Sequence, residues 1–137
     1  MKRLIAIAVL LVLAGGNARA ENENCRRSRE YLLGSLSGDQ MLPPAAYNDL
    51  FKICTATATM PNVKDAYILR DGGIAVVPKQ DSVPATAATL SQFCDTYPHA
   101  VLRFLTRKEM LSVKSVTSVV LMSSTSSTPC KKIKGIS

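Results

Sequence analysis

Apolar residues recur at helical spacing along most of the chain, with polar residues between them. The clearest case begins at Pro44, where four apolar residues lie at positions i, i+3, i+4 and i+7: Tyr47, Leu50, Phe51 and Cys54. This spacing places their side chains on one face of a helix. The pattern predicts that the helix fades in the Thr-rich run 55–59 and ends before Pro61.

Three more helices are predicted from weaker patterns. One covers residues 24–36 and ends near Gly38, and another covers residues 84–97, with Pro84 in its first turn. A fourth begins at Pro98, with Thr96 as its N-cap. Its inward residues are Val101, Leu102 and Leu105, whereas Arg103, Arg107 and Lys108 fall outside that apolar set.

Two segments allow more than one interpretation. Residues 67–69 and 74–77 are apolar and flank Asp71-Gly72-Gly73, which indicates either a short β-hairpin or an ordered loop. Residues 112–122 carry valines at helical spacing, yet β-branched residues favour a strand. We predict a helix there because its neighbours are helical. The whole pattern predicts an all-α fold, a bundle of four to five helices with at most a short hairpin in the central loop.

The first twenty residues have the features of a secretory signal peptide. Lys2 and Arg3 precede an apolar run over residues 4–14, and Ala18-Arg19-Ala20 fits a cleavage site. The run is too short for a membrane span, which needs about 20 apolar residues. We expect cleavage after Ala20 and a single periplasmic domain over residues 21–137, with a mobile basic tail at 131–137.

All four cysteines lie beyond the predicted signal peptide, at Cys25, Cys54, Cys94 and Cys130. An even number of cysteines in a small exported domain predicts two disulfides, and the spacing leaves all three pairings open. A catalytic thiol would need a base. The single histidine, His99, lies five residues after Cys94, and we regard this pair as the weaker interpretation.

The charge of the chain is strongly basic, but part of that excess belongs to the signal peptide. The formal net charge is +7, and loss of Lys2, Arg3 and Arg19 lowers it to +4. The remaining basic runs form either a solvated face or an attractive surface for an acidic partner. Nucleic acid is disfavoured as a partner, because export separates the chain from it and no aromatic residues are interleaved with the basic ones.

No catalytic motif is present, and no cofactor or metal site is predicted. A single histidine excludes an H-E-x-x-H zinc site, and there is neither a G-x-S-x-G motif nor a phosphate-binding glycine loop. The chain is therefore predicted to be a non-enzymatic module that binds another protein. Long loops of compact domains are commonly functional. We predict that the central loop contacts the partner through Arg70, Asp71, Lys79, Gln80 and Asp81.

Several short motifs resemble the Rap/Tai family, the periplasmic immunity proteins of type VI secretion amidase toxins. They are Tyr31-Leu32-Leu33-Gly34, Ala75-Val76-Val77-Pro78, Tyr97-Pro98-His99 and Thr128-Pro129-Cys130. The family often has a cysteine where this chain has Val77. The resemblance implies an all-helical domain that inhibits a peptidoglycan amidase by placing a loop in its cleft. It also implies that the protein often acts as a homodimer, and we leave the oligomeric state open.

A second resemblance is to the HdeA-type acid-stress chaperones. It rests on Cys94 and Pro98 followed by the apolar run 101–105, and on Gly73-Ile74-Ala75 ahead of the helix that carries Cys94. It implies a small, exported, helical chaperone that normally has one disulfide. A third class, an accessory protein of a conjugation or secretion machine in the cell envelope, has only export and size in its favour.

Overall fold

The sheet at the centre of this protein was not expected from the helical pattern. The computed structural model describes residues 22–34, 40–124 and Cys130, so the predicted signal peptide and basic tail lie outside the described residues. Within them the chain forms five helices and a three-stranded mixed sheet. The fold is α+β, and the all-α prediction is wrong.

The elements follow one another in a simple order. They are α1 (Glu23–Gly34), α2 (Pro44–Ala58), β1 (Val63–Ile68), β2 (Ile74–Pro78), α3 (Val83–Thr96), β3 (Leu102–Phe104), α4 (Arg107–Ser112) and α5 (Val116–Val120). Helices α1, α2 and α3 lie where the apolar spacing predicted them. The helix predicted within residues 112–122 is present but short.

Strands β1 and β2 form the antiparallel hairpin that was one of the two interpretations of the central segment. The Leu69 N–H donates to the Gly73 carbonyl at 2.8 Å, and the Gly72 N–H donates to the Leu69 carbonyl at 3.0 Å. Gly72 has φ of 100°, a conformation that side-chain-bearing residues rarely adopt. The Asp71-Gly72-Gly73 sequence thus determines where the chain reverses.

Strand β3 replaces the fourth predicted helix and pairs in parallel with β2. The Ile74 N–H donates to the Val101 carbonyl at 2.8 Å, and the Leu105 N–H donates to the Val76 carbonyl at 2.9 Å. A short apolar run such as residues 101–105 fits a strand as well as a helix. The edge of β2 that faces away from β1 favours the strand over the helix, because its buried backbone groups need hydrogen-bond partners.

The two faces of the sheet carry different hydrophobic clusters, because side chains alternate along a strand. On one face, Ile68, Ile74 and Val76 pack with residues of α1, α2 and α3 such as Leu32, Tyr47 and Phe93. The second face has Tyr67, Leu69 and Ala75 beneath Leu105 and Val119. The second face is therefore covered by the short helices α4 and α5, whereas three longer helices cover the first.

The outer edge of β1 is covered by two helices. The buried hydroxyl of Ser28 in α1 accepts the Ile68 N–H at 3.0 Å. The Val120 carbonyl at the end of α5 accepts the Arg70 N–H at 3.0 Å. These contacts satisfy backbone donors that would otherwise form an open strand edge.

Two disulfides are present, as predicted, and they join Cys25 to Cys54 and Cys94 to Cys130. The first links α1 to α2, and the second ties α3 to the last described residue. No cysteine is free, which removes the catalytic-thiol interpretation of Cys94. The bridges fit an oxidising compartment. Across the part of the chain that the structure describes, no helix is long and apolar enough to cross a membrane.

A polar cluster joins β3 to α4. Arg103, predicted to lie outside the apolar set, is largely buried, and its guanidinium donates to the Glu109 carboxylate and to the Ser123 carbonyl. Thr106 and Glu109 form a capping box, with the Glu109 N–H to Thr106 Oγ1 at 3.0 Å and the Thr106 N–H to Glu109 Oε1 at 2.9 Å. Burial opposes ionisation of Glu109, but the Thr106 N–H and the Arg103 charge outweigh it and hold its pKa below the usual value.

Gly73 is expected to tolerate no side chain. A Cβ there would lie 2.5 Å from the Ser124 Cβ, so Gly73→Ala should lower the free energy of unfolding by about 1–3 kcal/mol through overpacking. Urea denaturation measures the change. The control is Gly34→Ala, because a Cβ at Gly34 meets no atom of the described residues within 4 Å. Equal effects of the two substitutions would contradict the close approach of the hairpin turn to Ser124.

Glu109 is expected to make stability depend on pH. Its pKa is lower in the folded chain than in the unfolded one, so its contribution is present above the unfolded pKa and is lost as pH falls through the folded pKa. Glu109→Gln keeps an acceptor for the Thr106 N–H but removes the charge beside Arg103. The variant should be less stable than the wild type by about 1 kcal/mol near neutral pH, and the difference should vanish in acid.

The matched control is Glu30→Gln, which removes an exposed carboxylate that pairs with Arg26 on α1. Such exposed pairs contribute less than about 0.5 kcal/mol. Thermal unfolding of both variants across the acid range makes the comparison. A deficit of Glu109→Gln that stays constant down to the lowest pH would refute the role of its charge.

Candidate functional site

The five predicted contact residues lie at opposite ends of β2 rather than on one loop. Arg70 and Asp71 precede the strand in the hairpin turn, and Lys79, Gln80 and Asp81 follow it. Between them Ile74, Ala75 and Val76 are fully buried in the middle of the sheet. The expectation of a continuous exposed loop from Arg70 to Asp81 is therefore wrong, and the two groups form separate surfaces.

A cleft of about 520 Å³ lies at the hairpin-turn end of the sheet. Its walls come from α2, from the turn at Asp71, and from the connection between α3 and β3, which includes His99. Ser124 also borders it. The cleft thus collects an aspartate, the single histidine and a serine, the residue types of a hydrolytic triad.

The geometry of this cleft favours a structural role for Asp71. One carboxylate oxygen accepts the Gly73 N–H at 3.2 Å, and the other accepts the Ser124 N–H at 2.8 Å and the Ser124 hydroxyl at 2.9 Å. A triad needs the histidine between the acid and the nucleophile. Here the hydroxyl donates directly to the acid, and within the described residues no hydrogen bond joins His99 to either residue. Asp71 holds the turn against Ser124.

The other group of predicted residues has a rigid backbone and free side chains. We call residues 79–81 the clamped loop, because Asn62 binds the first two of them through three hydrogen bonds. The Lys79 N–H donates to the Asn62 carbonyl at 2.7 Å, the Gln80 N–H donates to Asn62 Oδ1 at 2.9 Å, and Asn62 Nδ2 donates to the Gln80 carbonyl at 2.9 Å. The loop residues are nevertheless exposed. Ser82 then caps α3.

The clamped loop borders a groove between β2 and α4. Its first hollow measures about 570 Å³, and a second hollow of about 220 Å³ continues beneath α4. We call the two together the basic groove. Its apolar floor is Val77, Leu105 and Met110, which line both hollows. Lys64 and Arg107 lie on its walls together with the clamped loop.

Sequence reasoning did not identify Lys64 and Arg107 as contact candidates. They come from β1 and α4, and only the folding of the sheet brings them to the same groove as Lys79. One signal was present: Thr106 and Glu109 have the spacing of a capping box, which places the start of a helix at Arg107.

Tyr67, in the wall of the second hollow, is unsuited to proton transfer at neutral pH. Burial, with a smaller contribution from the charge of Asp65, raises the pKa of the Tyr67 phenol above its ordinary value. Tyr67 therefore stays neutral and lines the groove as an uncharged side chain. Among the residues that the structure describes, no cluster of three or more His, Cys, Asp or Glu side chains is arranged to hold a metal ion.

No family model, curated protein or solved structure matches this chain. The comparisons therefore bear on neither the Rap/Tai nor the HdeA resemblance. Both resemblances implied an all-helical domain, whereas the described residues form an α+β fold. The function is accordingly argued from the geometry of the clamped loop and the basic groove.

Proposed function

We propose that the chain is exported to the periplasm, loses residues 1–20, and acts there as a non-enzymatic module that binds another protein. The two disulfides support an oxidising compartment. The observation that carries the binding function is the clamped loop, in which Asn62 holds the backbone of Lys79 and Gln80 while their side chains face solvent.

A loop of this kind favours binding because three hydrogen bonds to Asn62 hold its backbone before a partner arrives. Association costs free energy when side chains and loops become ordered, and a rigid loop avoids part of that cost. The clamp also lies between two anchored elements, β2 on one side and the Ser82 cap of α3 on the other. A partner therefore meets a preformed surface.

The narrower proposal is that this partner is a periplasmic enzyme or toxin and that binding inhibits it. An exposed, rigid loop is a suitable shape for entry into an enzyme cleft, which is the mode that the Rap/Tai resemblance implies. The cell-wall amidase class of partner rests on that resemblance alone. The acid-stress chaperone is the alternative, and the following experiment distinguishes the two.

The test is capture of partners from a periplasmic extract of the producing cells, at about pH 7 and again after a step to about pH 2.5. The loop variant combines Lys79→Ala, Gln80→Ala and Asp81→Ala. The control combines Asn48→Ala, Asp49→Ala and Lys52→Ala, which removes one amide, one acid and one lysine from exposed positions of α2. Equal melting temperatures establish that both variants are folded.

We expect one stoichiometric partner at neutral pH that binds the wild type and the control and is lost with the loop variant. Retention of the partner by the loop variant would contradict a binding role for residues 79–81. Capture of many unrelated proteins only after the acid step would overturn the inhibitor proposal in favour of a chaperone. Self-association lost in the loop variant would instead assign the loop to a homodimer.

A further inference from the structure

The walls of the basic groove carry more cations than acids. Lys64, Lys79 and Arg107 line the first hollow, and Lys108 is exposed beside Arg107 on α4. Within the described residues none of these four cations forms a salt bridge with an acid. Asp81 is the one acid on the walls of that hollow.

The cations of α1 behave differently, because each of them contacts a side chain of α1 or α2. Arg26 and Arg27 pair with Glu23, and Arg26 also pairs with Glu30. Arg29 lies over the Phe51 ring at 3.8 Å from its centroid. The three arginines of α1 thus have local partners.

The acid nearest in sequence to Arg107 is engaged by other residues. Glu109 lies two residues after Arg107, but its carboxylate binds the Thr106 N–H and the Arg103 guanidinium. The Glu109 carboxylate is therefore engaged in the capping box and in the ion pair with Arg103 of β3. Asp65, at the second hollow, accepts a hydrogen bond from Asn24 Nδ2 at 3.0 Å.

An apolar side chain accompanies the cations on α4. Leu111 is 83% exposed, the largest exposed fraction among the large hydrophobic residues described. It lies four positions after Arg107 and three after Lys108, so the three side chains are neighbours on the helix surface. The groove also has an apolar floor at Val77, Leu105 and Met110. Positive charge and apolar surface are therefore interleaved.

We propose that the basic groove binds an extended acidic segment of a partner protein, with an apolar residue of that segment seated on the groove floor or against Leu111. Charge complementarity selects carboxylates for Lys64, Lys79 and Arg107. The concave shape selects a chain segment, because a flat anionic membrane would reach Lys108 and Leu111 without filling the hollows. The proposal rests on the proposed protein-binding function and names the chemistry of the partner.

The probe is a fluorescent peptide that repeats Glu-Glu-Leu, and its binding is measured by fluorescence anisotropy at about 50 mM and about 200 mM salt. The comparison peptide repeats Gln-Gln-Leu. Vesicles that contain phosphatidylglycerol form a separate arm for the membrane. The groove variant combines Lys64→Gln and Arg107→Gln, which leaves the clamped loop unchanged. The control combines Arg27→Gln and Lys52→Gln, which removes the same charge from exposed positions of α1 and α2.

We expect the acidic peptide to bind the wild type, more weakly at the higher salt concentration. The groove variant should bind it at least about tenfold more weakly, and the control should differ by less than about twofold. Leu111→Ser, at an exposed position, should weaken binding about threefold because it removes apolar contact. Equal binding of the Gln-Gln-Leu peptide, or binding to vesicles without binding to the acidic peptide, would overturn the proposal.

The two proposals fail in different ways. A captured partner that needs residues 79–81 but whose binding is unchanged in the groove variant would remove the acidic-segment inference and leave the proposed function intact. Loss of capture by the groove variant but not by the control would support both.

Discussion

The backbone of β2 needs hydrogen-bond partners on both sides, and most of this fold follows from that need. Ile74, Ala75 and Val76 are fully buried, so their amide and carbonyl groups have no access to water. Strand β1 supplies partners on one side through a short hairpin, and β3 supplies them on the other after the α3 crossover. An unpaired buried backbone group would cost about 1–3 kcal/mol, which makes a strand at residues 102–104 favourable even though it is only three residues long.

The need for backbone hydrogen-bond partners also explains how the outer edge of the sheet is closed. The outer edge of β1 is closed by the Ser28 hydroxyl and the Val120 carbonyl, which come from opposite ends of the described chain. The disulfide between Cys25 and Cys54 holds α1, and therefore Ser28, against α2. These polar atoms at the outer edge of the sheet are thus committed to structure. Side chains that remain without such commitments, above all Lys64, Lys79 and Arg107, are the ones available to a partner.

The acidic residues illustrate how position decides role. Asp71 and Asp81 were predicted together as contact residues, and both belong to turns next to β2. In the structure Asp71 accepts hydrogen bonds from Gly73 and Ser124 and holds the hairpin turn, whereas Asp81 lies on the wall of the basic groove. Glu109 was not among the predicted contact residues, yet its contacts with Thr106 and Arg103 orient α4 and leave Arg107 facing the groove.

The local pattern of residues was sufficient to predict several features of this protein. The apolar spacing of residues 44–58 predicts α2, the glycines at 72 and 73 predict a turn, and an even cysteine count in an exported domain predicts two disulfides. The helix and the turn depend on residues that are neighbours in the chain, and the number of disulfides follows from the cysteine count, so the sequence alone predicts these features. Tertiary structure decided the cysteine pairing, the strand at residues 102–104 and the meeting of Lys64 with Arg107. Each of these joins residues far apart in sequence, and the free energy that selects them comes from burial and hydrogen bonds that exist only when the sheet is assembled.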